Sequence, residues 1–414
     1  MLRLLARDAG PHGRAVLAAL VLLVGGVVVG MAVLWPGGGD RIAPLQGSVE
    51  GDAGPPAAEV VAEVEETVRR RCEQSPRSPC QILTIRIDEG DQAGRRARLT
   101  LPGTTLAPEV LPGDRIRVTE SYVPVGAEPP PNAEAYTFTD FERRSPLLLL
   151  AIVFAVLVVA LGRWKGVRSL LGLAASLAVV TQFMVPAILD GSSPLAVALV
   201  GALAVMLLTV GLAHGTGVTS VAAVLGSAAS LLATALPAVL FVGLAHITGF
   251  SSEESTLLLA PTEGGVGGGL SLEGLVLAGI VVGALGVLDD VTVSQASTVL
   301  ALRRANPGLG GRAVFREGLS VGRDHLAATV NTLVLAYVGA ALPVLLIFEQ
   351  SGIGVSDALN RERVAGQIVA MLVGSIGLVL AVPLTTALAA WLARTLPPAA
   401  LARAGDAHAH HHHH

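Results

Sequence analysis

Charge is scarce in this chain: Asp, Glu, Lys and Arg make up 14% of its 414 residues, against 52% hydrophobic residues and a mean hydropathy of +0.65. So few charged groups form no basic surface for a nucleic-acid partner, and the composition is that of a membrane protein. Cysteine is limited to Cys72 and Cys80, too few for a disulfide-dense scaffold. No G-x-x-x-x-G-K-[ST] segment occurs, so the chain has no P-loop ATPase of its own. The zincin pattern H-E-x-x-H is also missing. GLSVG, Gly318 to Gly322, matches G-x-S-x-G in letters, but an Arg-rich loop rather than a strand is expected before Ser320, so no nucleophile elbow forms there. Neither an enzymatic activity nor a cofactor is expected.

What the chain has in abundance is apolar length. Runs at 15–35, 146–162, 169–189, 194–213, 218–246, 270–300, 326–348 and 364–392 give about eight spans, each near the length that crosses a bilayer. The 48 Gly suit close helix packing in lipid, where small residues let backbones approach, as at the pair Gly279 and Gly283. The net charge of -4 decides little, because topology follows the placement of Arg and Lys over short loops. Arg3, Arg7 and Arg14 precede the first run, Arg163, Lys165 and Arg168 follow the second, and Arg303, Arg304, Arg312, Arg316 and Arg323 follow the sixth. The opposite loops carry Asp190, Glu253, Glu254, Glu263, Glu349, Asp357 and Glu362. Both termini are therefore expected in the cytoplasm. The first run lacks a small-residue cleavage site after Trp35, where PGGGD follows, and reads as an uncleaved anchor.

Residues 41–144 are different material, polar and expected outside. VVAEVEETV, QILTIRID, RRARLTL, DRIRVTESYV and AYTFTDF are short β-type runs separated by the turn signals EGDQAG and LPGD. The expected fold class is thus an α-helical polytopic membrane protein of about eight transmembrane helices with a small exterior all-β domain, OB-like or a sandwich. Its expected divisions are an N-terminal tail and anchor (1–40), the β domain (41–144), a seven-helix membrane domain (145–396) and a cytoplasmic tail (397–414). Cys72 and Cys80 share one short loop of the exterior domain and are expected to form a disulfide, ahead of a thiol site that no His or third Cys would complete. The ending DAHAHHHHH reads as a purification tag or as a metal-collecting tail.

The most demanding residues are Asp289 and Asp290, adjacent in the apolar stretch from Leu270 to Arg304. An ionised Asp at a helix centre in hydrocarbon costs about 2.5 to 3.5 kcal/mol on insertion scales, so such acids handle ions, protons or substrates. The stretch exceeds the roughly 20 residues one span needs, and is expected to break or tilt near the acids, with Thr292, Ser294, Gln295, Ser297 and Thr298 as its polar continuation. The next apolar run, Gly322 to Phe348, places Asp324 and Asn331 seven apart on one helical face, with His325, Thr329 and Thr332 beside it. Carboxylate, amide and hydroxyl oxygens are what hard cations prefer. Two plainer readings stand beside this one: Asp324 as a helix cap and Asn331 as an interhelical hydrogen bond. Thr181, Gln182, His214, His246 and Gln367 read as helix contacts before they read as pathway residues. Pro186 and Pro237 should bend their spans, which makes 218–246 a candidate gate.

Two segments together, GALGVLDDVTVSQAS (Gly283 to Ser297) and GRDHLAATVNTLVLAYVGAALPVLLI (Gly322 to Ile347), resemble the YibE/YibF-like family of bacterial multi-pass membrane proteins, and the LPGD and YTFTDFERR segments fit as well. The resemblance implies an Asp at the position of Asp290, and an Asp followed by Asn-Thr at Asp324, Asn331 and Thr332; many members are apolar at Asp289, which puts the weight on Asp290. It supplies no substrate.

The expected function is a secondary transporter or ion permease in which Asp290, helped by Asp289 and Asp324 and by the neutral ligands Asn331 and Thr332, binds a cation or carries the coupling proton. His325, Thr329, Gln295 and Gln367 are the candidate pathway residues, and the identity of any metal is open. Adjacent acids repel, so an empty site should hold a proton that an arriving cation displaces. The alternative is a scaffold or sensor whose exterior domain binds a partner, against which the seven further spans count. The expected partners are the bilayer and a small ion or solute, with homo-oligomerisation left open.

Overall fold

The computed structural model describes residues 10–37, 59–71, 79–101, 108–120, 135–215, 217–251 and 270–395. In chain order they form α1 (Gly10–Val33), β1 (Glu59–Arg71), β2 (Pro79–Ile87), β3 (Arg96–Leu101), β4 (Arg115–Glu120), β5 (Tyr136–Phe141), α2 (Arg144–Val179), a π-helical turn (Val180–Met184), α3 (Val185–Leu189), α4 (Pro194–His214), α5 (Val218–Leu244), α6 (Leu272–Ala305), α7 (Gly311–Gln350), α8 (Val355–Leu359) and α9 (Glu362–Thr395). The chain divides into two compact units: Pro44–Leu157, and Met1–Ala43 with Val158–His414.

The smaller unit is a single antiparallel sheet of order β3-β2-β1-β4-β5. Alternation builds it: in RIRVTE, Ile116 and Val118 point inward while Arg115 and Arg117 point out. β1 pairs with β4 through Glu59 to Glu63 and with β2 through Ala62 to Arg71, and the irregularity between Val64 and Glu66 lets one strand serve both partners. β3 and β5 approach each other at the two edges, so the sheet curls into a half-barrel rather than stacking on a second sheet as a sandwich would. Ala62, Val64, Leu83, Ile85, Leu99, Ile116 and Val118 fill the inner face. The outer face is a ladder of ion pairs in which Glu65 meets Arg96 at 2.7 Å, Glu59 meets Arg117 at 2.9 Å, and Glu63 meets Arg86. Partly exposed pairs of this kind contribute about 1 kcal/mol or less each, so the apolar face holds the sheet and the ladder fixes its register.

Gly113 of the LPGD turn has φ +93°, which a side chain would strain, and its N–H donates to Val64 O at 2.7 Å. At the end of β5, the Arg143 guanidinium at 2.6 Å and the Phe141 N–H hold the Asp140 carboxyl below the usual carboxylate range. Cys80 lies buried in β2 opposite Arg70, and Cys72 lies outside the described residues.

In the larger unit α5, α6 and α9 pack on one another, with α4 against α6 and α7 against α9 and α6. Small residues set the spacing. Gly226 of α5 faces Thr385 of α9, and Gly377 of α9 faces Thr234 of α5, so closely that a Cβ at either glycine would collide with the threonine hydroxyl. The pairing of 226 with 385 and 234 with 377 also shows that the two helices run antiparallel.

Seven helical stretches among the described residues are long and apolar enough to cross a membrane. The longest, Arg144–Leu189, is not one straight rod. Arg163 interrupts α2 with φ 51° and ψ -131°, and Gly166 lies against the Val158 carbonyl, whereas eight residues along a straight helix would separate them by about 12 Å. The kink falls between the expected runs 146–162 and 169–189. Upstream of Pro186 the helix widens into the π turn, where Val185 N–H reaches back to Val180 O. Proline supplies no N–H to the preceding turn, and a local widening is how a helix absorbs this.

Two expectations about continuity are corrected. α6 runs unbroken through Asp289 and Asp290 for 34 residues. Three hydroxyls of its polar continuation can bond back to the helix itself, Thr292 to Asp289 O at 3.2 Å, Ser294 to Val291 O at 3.0 Å and Thr298 to Ser294 O at 2.9 Å. The Arg-rich segment after α6 is not a loop either, because α7 begins at Gly311 and carries Arg312, Arg316 and Arg323 in its opening turns. Ser320 therefore sits inside a helix with no strand before it. The run GGVGGG at 264–269, which reads in sequence as a flexible exterior linker, and the His-rich end fall outside the described residues.

Candidate functional site

α2, α4 and α6 together enclose a cleft of about 550 Å³. From α6 it takes both acids, with Ser294 and Ser297; α2 adds Ser169 and Ser176, and α4 adds Thr209 and His214. Helical geometry explains how neighbouring acids share one cleft without touching: successive side chains diverge by about 100°, so Asp289 and Asp290 enter from different sides. Asp289 is half-buried and Asp290 exposed, with Ser294 and His214 also on the exposed side. The cleft therefore has a deep carboxylate and a carboxylate at its mouth.

The deep one is anchored. The Thr209 hydroxyl donates to Asp289 Oδ2 at 3.1 Å, with Met206 O as its alternative acceptor at 3.2 Å. Asp289 Oδ1 is covered and has no hydrogen-bond partner among the described residues. A covered carboxylate oxygen without a donor is costly unless a proton or cation serves it. Behind it, Thr292 is fully buried and its hydroxyl meets that of Ser227 on α5. The turn bearing the acids is thus tied to α4 on one side and α5 on the other.

α7 presents its residues differently. Val314, Gly318, Gly322, Leu326, Val330 and Leu333 form its packing face. Asp324, His325, Asn331 and Thr332 are exposed, and none of them lines the cleft. The hydroxyls of Thr329 and Thr332 return to His325 O and Ala328 O, both at 3.0 Å. The single chain brings Asp289 and Asp290 together and does not bring Asp324, Asn331 and Thr332 to them.

Residues 150–395, more than half of the chain, match the family model for YibE/F-like protein. The chain belongs to the YibE/F-like family. No curated protein and no solved structure matches it. The matched stretch begins within α2 and ends with α9, so every side chain of the cleft lies inside the YibE/F-like region while the half-barrel lies before it.

Among the other expected pathway residues of this YibE/F-like region, Gln295 is a cross-link. It is 4% exposed, and its Nε2 donates to Gly318 O on α7 and to Thr386 Oγ1 on α9, both at 2.7 Å. A Cβ on Gly322 would come within 2.7 Å of Gln295 Oε1, so the small residues of α7 are what admit the amide. Gln367 is exposed on α9. Among the described residues no three His, Cys, Asp or Glu side chains converge as a metal cage would require. Sequence reasoning missed Thr209, Ser169 and Ser176. A lone hydroxyl in an apolar span carries no signal of its own, because it can always bond back to its own helix, as Ser176 does to Gly172 O at 2.9 Å.

Proposed function

We propose that the chain is a multi-pass protein of the bacterial inner membrane that acts as a secondary transporter or ion permease for a cation, with the carboxylates of the α2–α4–α6 cleft as its binding and coupling groups. The observation that carries the reading is the covered, unpartnered Oδ1 of Asp289 in a cleft between long apolar helices. An acid kept at such a place is expensive in lipid and is retained for ions or protons. Its burial and its Thr209 anchor favour Asp289 as the seat, with Asp290 at the mouth as the second charge. A cation entering the cleft displaces the proton of the seat, which couples the two flows in opposite directions.

In this reading the kink at Arg163 makes two crossings of α2 with α3, giving eight in all. The Arg-rich ends face the cytoplasm together with both termini, and the β unit lies outside as an OB-type partly open barrel. Cys72 and Cys80, in that oxidising exterior, form a disulfide. The test is purified protein in liposomes loaded with a pH-sensitive dye. Cation added outside should drive proton efflux that scales with protein content, and proton flux no greater than in empty liposomes for any cation tried would contradict the reading.

A further inference from the structure

We propose that the cleft receives its cation with the water shell in place: a hard divalent ion of the magnesium type, held through its coordinated waters rather than by direct ligation. The inference rests on the transport reading above and names the cargo class of the same site. Three features of the cleft carry it.

Its size is the first. A cleft of about 550 Å³ is far larger than a bare ion needs. Six waters at about 30 Å³ each occupy roughly 180 Å³, so a fully hydrated ion fits with room to enter and leave. Ligand geometry is the second. A bare calcium ion needs six to eight oxygens and a dehydrated magnesium ion a strict octahedron, whereas the cleft offers two carboxylates that diverge around α6. Divergent acids cannot easily meet on one bare ion, but both reach the waters around a wide one. Magnesium, which sheds water reluctantly and is commonly held by one or two carboxylates, suits such a site.

The character of the walls is the third. Waters bound to a divalent cation point their hydrogens outward, and the surrounding wall must accept them. The hydroxyls of Ser169, Ser176, Ser294 and Ser297, with the exposed carboxylate of Asp290, supply acceptors from two helices. Among the described residues no thiol or thioether lines the cleft and His214 is its one imidazole, so a soft transition metal finds at most one preferred ligand there.

The test uses the full chain in detergent and reads thermal unfolding against two probes: magnesium chloride, and cobalt(III) hexaammine, an exchange-inert complex that resembles hydrated magnesium and releases none of its ligands. Both should raise Tm saturably and compete with each other. Asp289→Asn should weaken both at least about tenfold, as loss of a charge partner does. Asp290→Asn, at an exposed position that folding tolerates, should weaken both as well, and Ser297→Ala about two- to threefold, so the outcome does not hang on one variant. Magnesium binding that needs the acids but resists cobalt(III) hexaammine means direct ligation; it overturns this inference and leaves the transport reading intact. A Tm that no cation shifts in an acid-dependent way overturns both.

Discussion

Thr209 and Asp289 meet across 80 positions of sequence through one hydrogen bond of 3.1 Å, and that bond sets which way the deep carboxylate points. Thr209→Val keeps the shape and removes the donor. Because a hydrogen bond to a charged group is worth about 1.5 to 3 kcal/mol, the variant should fold normally while its cation affinity falls about tenfold or more, as read by cation-dependent Tm. An unchanged affinity would mean that the carboxylate is positioned by its helix alone. Gln295 makes the opposite case. Its two hydrogen bonds join three helices, so Gln295→Leu should destabilise the protein by about 1 to 3 kcal/mol while flux per folded molecule stays near the parent value. Lost flux in a stable Gln295→Leu protein would return this residue to the pathway.

At the scale of elements, spacing is controlled by glycine. Gly226→Ala should push α5 from α9 against the Thr385 hydroxyl, and Gly322→Ala should collide with Val382 Cγ1 at 2.5 Å; both should lower Tm and the yield of folded protein. The double variant Gly226→Ala with Thr385→Ala, which removes the colliding hydroxyl, should recover part of the loss, whereas no recovery would place the strain elsewhere. Much of this level was legible in the sequence. Apolar length located the spans, and the alternation in DRIRVTESYV and QILTIRID located strands now seen at Arg115–Glu120 and Pro79–Ile87. Continuity was harder to read. Hydroxyls that look like a break after Asp290 bond back to their own helix or, at Thr292, also to α5, and the Arg cluster that looks like a loop opens α7. The rotation of α7 could not be read at all: its apolar residues surround the helix, so periodicity does not say whether Asp324 and Asn331 or Gly318 and Gly322 face inward.

For the whole molecule the account rests on topology and on charge movement. Single cysteines near Arg168 and near Arg312 should be labelled only from the cytoplasm, and one near Asp114 only from outside; exterior labelling near Arg312 in intact cells would reverse the orientation. Exported protein should show no alkylation of Cys72 or Cys80 before reduction, and two freely alkylated thiols would place the β unit in a reducing compartment. The most direct measurement is cation flux into proteoliposomes by the parent, Asp289→Asn and Asp290→Asn proteins, each first shown to unfold at a comparable temperature. The account predicts that Asp289→Asn abolishes both cation uptake and the proton counterflow, and that Asp290→Asn slows both. A folded Asp289→Asn protein that moves cations and protons at the parent rate across the pH range would contradict it.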